Sequence, residues 1–428
     1  MSESTLRPNR RSLLAMSAAA ATGALSTRGE ARCGWQPDPA LLAGLEAKNT
    51  SWIYRERDVK PYSVPDPLVR RGGARVATKE EWERSARAET LALLEEHVYG
   101  RSPGKPDSVM IEVTGREEGA LGGAADLKHI AITSRYDGRS FTFPCSVFVP
   151  RGRRGPFPAW ILINNRAVSA ADPSRMSREG FWPVETLIDR GYATAVFRTN
   201  DVDADSKDES LRKNGVRGVW PEGGGKLGST AWATLGAWAW GASRVLDYLQ
   251  SEQKIHAERI GVVGHSRGGK TALWAGAQDR RFAIVVSNDS GCGGAALSRR
   301  IFGETVSAIN RGFPYWFCEN FKPYSEHEER LPVEQNQLLS LIAPRGLCVA
   351  SADADFWADQ RGEFLSLAHA SPVYGLYGNP PVRPDEMPPL DSPLVRGAVA
   401  YHVRRGEHNL TAYDWERYAD FADGFYAR

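Results

Sequence analysis

The run Gly264-His265-Ser266-Arg267-Gly268 has the form G-x-S-x-G. A serine hydroxyl is a weak nucleophile until a nearby base takes its proton and a sharp turn exposes its Oγ. Glycines on either side suit such a turn, because they remove Cβ atoms that would collide in it. Five-residue patterns recur by chance, so the flanks decide the reading. Residues 260–263 (IGVV) are a short apolar run suited to a buried strand, and residues 269–278 carry a helical pattern. Strand, turn and helix in that order are the setting the motif requires. The helix start behind Ser266 offers free backbone N–H groups and the positive end of a dipole to an oxyanion. These residues imply acyl transfer through a covalent intermediate on Ser266.

Such chemistry needs a base and an acid. With an elbow on a sheet of this kind, the chain order is nucleophile, acid, histidine. His97, His129, His256 and His265 precede Ser266 and drop out. His327 lies in the charged run 326–330 and reads as a solvated face, His369 falls within a helix, and His402 lies inside the strand pattern 398–403. His408 follows that strand in the loop 404–409, where a base can hang over the nucleophile. Two carboxylates are well placed to orient it. Asp355 follows the apolar run 347–350, and Asp289 follows the apolar run 283–287. Either could hold an imidazole and stabilise its cation; either could equally cap a helix or join a loop ion pair. Asp355 holds the more usual position and is preferred, with Asp289 kept as its partner or substitute.

The elements that must position these residues are legible in outline. Residues 79–97 read as a helix, and residues 109–113, 127–133 and 141–149 as strands, the last with alternating apolar residues. Residues 158–163, 193–197, 260–263, 283–287 and 347–350 are short and almost wholly apolar, as strands buried on both faces of a parallel sheet are. Helical stretches at 230–250, 268–278 and 333–342 alternate with them. The fold class is α/β: an α/β-hydrolase fold with a mostly parallel central sheet, antiparallel N-terminal strands and helices on both faces, a three-layer sandwich. Residues 222–228 read as a glycine-rich loop and 379–393 as a proline-rich excursion before the last strand.

Length and composition set the remaining bounds. The 428 residues carry a formal net charge of +2, with basic residues scattered and no Lys/Arg stripe, which excludes a nucleic-acid partner. Arg10 and Arg11 precede, with Ser12, an alanine-rich apolar run from Leu13 to Leu25 that is too short to span a bilayer. This reads as a twin-arginine signal peptide over residues 1–31, with export from the cytoplasm. Residues 32–78 are then an extended N-terminal arm and residues 79–428 a single catalytic domain. No other stretch is long and apolar enough to cross a membrane, and a monomer is expected. The five cysteines, at 33, 145, 292, 318 and 348, are odd in number and form no CxxC pair, so metal binding by cysteine is not expected, and acyl transfer through Ser266 needs neither a metal nor an organic cofactor. One disulfide would fit an exported chain, and buried free thiols are the alternative. Thirteen tryptophans are many for this length, and they suit a core as well as sugar stacking.

At the elbow the chain resembles the glucuronoyl esterases, carbohydrate esterase family 15, whose G-x-S-R-x-G-K pattern is matched by Gly264 to Lys270. The likeness continues through residues 237–241 (AWAWG), 289–294 (DSGCGG), 313–321 (FPYWFCENF) and 356–363 (FWADQRGE), and spans roughly residue 141 to the C-terminus. It implies that Arg267 supplies its backbone N–H and its guanidinium to the oxyanion. It further implies that Lys270 binds sugar hydroxyls, and that Glu304 and Trp357 hold the glucuronoyl ring. The implied substrate is an ester of 4-O-methyl-glucuronic acid, the link between xylan side chains and lignin alcohols.

Two departures stand out. Fungal members place a cysteine before the nucleophile, bridged to a cysteine beside the base. Here that position is His265, and no cysteine lies near His408, as in the bacterial branch. The family often has Glu where Asp289 stands, and the shorter side chain favours Asp355 as the acid. An acetyl xylan esterase is the nearest alternative, and a catalytically dead hydrolase fold that binds sugar is one from another class. A peptidase on this fold would need a propeller or lid domain for which the length leaves no room.

Overall fold

The structure is a computed structural model and describes residues 34–48, 52–220 and 228–428. The expected signal peptide, Cys33 and nearly all of the glycine-rich loop lie outside the described residues.

The strands are β1 (Ser108–Ala120), β2 (Ala125–Tyr136), β3 (Arg139–Pro150), β4 (Phe157–Asn164), β5 (Ala193–Arg198), β6 (Ile255–His265), β7 (Ile284–Asn288), β8 (Gly346–Ala352), β9 (Leu394–Arg396) and β10 (Val399–Arg404). They form one ten-stranded sheet in the order β1-β2-β3-β5-β4-β6-β7-β8-β10-β9. β1, β2, β3 and β5 pair antiparallel. From β5 across β4, β6, β7 and β8 to β10 every pairing is parallel, and β9 closes the far edge antiparallel to β10.

The parallel strands are apolar throughout because each face meets its own core. In β4, Ala159, Ile161 and Ile163 pack into one core, while Trp160 and Leu162 pack into the other. The helices α1 (Pro39–Lys48), α2 (Val184–Asp189), α3 (Thr234–Ser251), α4 (Arg267–Gln278), α5 (Gln360–Gly375) and α6 (Ala412–Tyr426) include those that cover the sheet. α3, α4 and α5 contribute Trp238, Trp274 and Phe364 to the first core, and α2 and α6 contribute Leu187, Trp415 and Tyr418 to the second. The result is the three-layer α/β-hydrolase sandwich. All thirteen tryptophans are buried except Trp52 and Trp357, so the high count is chiefly core. Cys145, Cys292, Cys318 and Cys348 are buried free thiols. Among the described residues no helix is long and apolar enough to cross a membrane.

Two segments differ from the sequence expectation. β1 runs on to Ala120, seven residues past the alternating stretch, with bulges after Val113 and Glu117. It is an edge strand, so polar residues such as Arg116 and Glu117 can face water there without breaking the ladder. Residues 34–78 are not extended throughout, since α1 lies inside them. Pro39 opens α1 at a position that needs no N–H donor, and Asp38 accepts from the Ala40 N–H at 2.8 Å. Beyond α1 the chain is tied to the loops around the active site. The Ile53 carbonyl accepts from the Gly303 N–H at 2.9 Å, and Glu56 pairs with Arg300 and, at 3.4 Å, with Arg361.

Beneath those loops α5 inserts a carboxyl into the sheet edge. Glu363 is fully buried, and its Oε1 accepts from the N–H groups of Ser290 (2.8 Å) and Gly291 (3.0 Å). Its Oε2 meets Ser351 Oγ at 2.6 Å. Burial pushes this carboxyl up from an ordinary 4.5 to about 7, although the donors from Ser351, Gly291 and Ser290 pull the other way. The folded protein therefore holds this proton more tightly than the unfolded chain. The stability associated with it is full below about pH 4.5 and is lost as the pH rises through about 7, by roughly 3 kcal/mol. Glu363→Gln keeps an acceptor for both amides and an N–H for Ser351, so it should remove this part of the pH dependence. Urea unfolding of both proteins at about pH 5 and about pH 8 measures it, and an equal drop in both would reject the assignment.

Candidate active site

β6 ends at His265, and α4 begins at Arg267, leaving Ser266 to make the whole turn. Its φ of +58° and ψ of −127° lie in a region that a residue with a side chain rarely adopts. The neighbours hold it there. The Ser266 N–H donates to the Asn288 carbonyl at 2.8 Å, and its own carbonyl accepts from the N–H groups of Gly269 (2.9 Å) and Lys270 (3.1 Å). A Cβ on Gly264 would stand 1.9 Å from the Gly268 carbonyl oxygen, so β6 and α4 can approach this closely only with glycine there.

His408 arrives from the loop after β10, and its Nδ1 lies 2.5 Å from Asp355 Oδ2. Asp355 is buried, while the His408 side chain is 40% exposed. Asp289 is placed differently. Its Oδ1 accepts from the Ala352 N–H at 2.6 Å, and its Oδ2 faces the Arg404 guanidinium at 3.5 Å. Burial, reinforced by the nearby charge of Asp355, holds its carboxyl well above the usual carboxylate range despite Arg404. The two acids thus stand side by side, and Asp355 is the one in contact with the imidazole. Ligand-type atoms of Asp289, Asp355 and His408 lie within 4.8 Å of one another, as metal ligands would. Those of Asp355 and His408 are committed to each other, and Asp289 already answers an amide and a guanidinium.

Ser266 and His408 line one cleft of about 430 Å³, together with Arg267, His265, Asn165, Arg166 and Glu179. The Arg267 guanidinium lies 4.9 Å from the centre of the Trp316 ring and is hydrogen-bonded to Asp205. Asp205 also accepts from Tyr315 (2.7 Å) and the Trp316 indole (2.9 Å). The arginine beside Ser266 is therefore held in place before any ligand arrives.

Lys270, Glu304 and Trp357 form a second group outside the lining of that cleft. Lys270 is buried, with all three ammonium donors engaged: Ser290 O and Cys292 O at 2.6 Å and Glu304 Oε2 at 2.8 Å. The Glu304 N–H donates to the Trp357 carbonyl at 2.9 Å. The half-buried Trp357 ring packs against Trp52 at a tilt of 45°, with centroids 3.9 Å apart. Sequence reasoning overlooked Asp205, Arg166 and Arg404. The only hint for Asp205 was the aromatic stretch 313–321 that surrounds it in space, and Arg404 ends a recognisable strand without any local mark of its use.

Comparison with known proteins gives concordant results. A family profile described as "Glucuronyl esterase, fungi" matches residues 132–378. The chain is 36% identical to carbohydrate esterase MZ0003, from an unknown prokaryotic organism, over 91% of this chain and 94% of that protein. It is 31% identical to a 4-O-methyl-glucuronoyl methylesterase of Schizophyllum commune over 74% of each chain. The solved glucuronoyl esterase from Solibacter usitatus superposes with a TM-score of 0.80 at 37% identity, covering 87% of this chain and all of that one. The chain belongs to the glucuronoyl esterases, carbohydrate esterase family 15.

Proposed function

We propose that this enzyme hydrolyses esters on the carboxyl group of 4-O-methyl-glucuronic acid, through an acyl-enzyme on Ser266. The observation that carries the mechanism is the 2.5 Å contact of Asp355 with His408 Nδ1, which leaves Nε2 of a base lining the same cleft as Ser266. The substrate class rests on the family and on the S. commune relative's activity as a methylesterase.

Asp355 accepts from Nδ1–H, so Nε2 is free to take the proton from Ser266 Oγ as that oxygen attacks the uronoyl carbon. The Arg267 N–H, at the start of α4, and the fixed Arg267 guanidinium meet the developing oxyanion. His408 then protonates the departing alcohol as its C–O bond breaks, and water repeats the sequence on the acyl-enzyme. The free glucuronate produced is an anion beside two arginines, Arg166 and Arg267. Lys270 fixes Glu304, and Glu304 with Trp357 receives the sugar ring. In its setting, the substrate joins glucuronoxylan to lignin, and the twin-arginine pattern supports export of the enzyme to meet it.

The substrate assignment predicts that benzyl glucuronate is cleaved much faster than acetylated xylan or p-nitrophenyl acetate, with Ser266→Ala inactive on all three. Turnover of the acetates alone would leave an acyl-transfer enzyme with the wrong substrate class, and failure of wild type to react with a fluorophosphonate would mark a dead fold. The assignment of the acid is tested separately. Asp355→Asn should lower kcat by roughly 10³- to 10⁴-fold, since the imidazole loses its tautomer and its counter-charge. Asp289→Asn keeps an acceptor for the Ala352 N–H and reaches the imidazole only through Arg404, so kcat should fall by about tenfold at most. The reverse ranking would transfer the role to Asp289.

A further inference from the structure

We propose that Arg166 is a positioning residue for this reaction, clamping the loop of the base to the strand of the nucleophile. It rests on the triad reading given above. The guanidinium NH2 lies 3.0 Å from His265 Nε2 and 3.2 Å from the His408 carbonyl oxygen, so one nitrogen ties the residue before Ser266 to the residue that carries the base. The two histidine rings lie against each other, with centroids 4.3 Å apart.

His265 is built to receive that clamp. It is fully buried at the end of β6, and its Nδ1 lies 2.7 Å from Asn288 Oδ1. Since a guanidinium can only donate, His265 Nε2 must accept, and its proton sits on Nδ1, directed at Asn288. A neutral ring follows, in keeping with burial and the adjoining His408, which hold its pKa well below the ordinary value. Asn288 completes the frame from three atoms. Its carbonyl takes the Ser266 N–H at 2.8 Å, its Oδ1 takes the His265 N–H, and its Nδ2 donates to Tyr418 at 2.9 Å. Arg166 is itself steered from below, with its guanidinium 5.2 Å from the centre of the Phe181 ring and its backbone N–H on Asn164 Oδ1 at 2.9 Å. Nucleophile and base come from strands separated in the sheet by β7 and β8. Arg166, from the loop after β4 on the other side of β6, crosses over the elbow and joins them.

Arg166 is exposed, so its replacement should leave the fold intact. The test compares wild type with Arg166→Ala and Arg166→Lys in the hydrolysis of methyl and benzyl glucuronate, and in the rate at which a fluorophosphonate labels Ser266. Loss of the clamp should lower kcat about tenfold to hundredfold on both esters. KM should stay within about twofold, labelling should slow in step, and Tm should be unchanged. Guanidinium ion added to Arg166→Ala should restore part of the rate. A rise in KM with kcat kept, whether on the benzyl ester alone or on both esters, would make Arg166 a contact to the substrate and overturn the proposal. Unchanged kcat and labelling, or a loss accounted for by unfolding, would overturn it too. If wild type cleaves neither ester, the labelling rate still reports on the clamp, so its failure and that of the uronoyl assignment stay distinct.

Discussion

The proposed base, His408, rides on a surface loop, and its use to Ser266 depends on that loop keeping one conformation. The backbone carbonyls of residues 405 to 409 are all engaged. A single side chain, Arg404, donates to those of Arg405, Glu407 and Asn409. The Gly406 carbonyl takes the Ala354 N–H, and the His408 carbonyl takes Arg166. The loop thereby loses its freedom at the time of folding, and little ordering remains for the reaction to impose.

Arg404 can do this because it is buried between two acids. Its Nε donates to Asp414 at 2.8 Å, and its NH2 faces Asp289. Asp414 also meets His402 Nε2 at 2.8 Å, and both the N–H and the hydroxyl of Thr411 donate to it at 2.8 Å. Burial pushes the Asp414 carboxyl up, but its hydrogen bonds to His402 and the Thr411 N–H and the charge of Arg404 outweigh it and hold it below the usual range. Removing one member of such a group strands the others without water, which is more costly than any one contact is favourable. The same logic accounts for Asp289. Its position after β7 resembles that of a catalytic acid, yet its oxygens serve the Ala352 amide and the arginine that orders the base loop.

The sequence displayed the parts of this site that have a local signature. Gly264 and Gly268 around Ser266, the apolar strands, and a histidine just past the last strand are features of short windows, and each proved to be where its pattern placed it. What escaped are the contacts that join distant windows. Asp205 is 62 residues from Arg267, and Arg166 is 99 residues from His265 and 242 from His408. An arginine in a loop carries no mark of which carbonyl it will meet, so only the folded chain discloses it. Lys270 illustrates the converse. Its spacing from Ser266 reads correctly as one helical turn, but nothing in that spacing shows the three internal acceptors, Glu304 among them, that its buried ammonium meets.

One feature of the rim comes from outside the region that bears the catalytic motifs. The two tryptophans left unburied pack against one another, and Trp52 belongs to the N-terminal segment whose Glu56 also joins Arg300 and Arg361. A protease cut just beyond residue 58 would leave this stretch held only by contacts of this kind, among them the Trp35 and Tyr54 rings against Phe356, the neighbour of Asp355. Once the cut stretch dissociates, Trp357 loses its partner and Phe356 its cover, while Ser266 itself remains in the chain. The integrity of this short stretch, rather than the count of reactive serines, is then the proper measure of a sound sample.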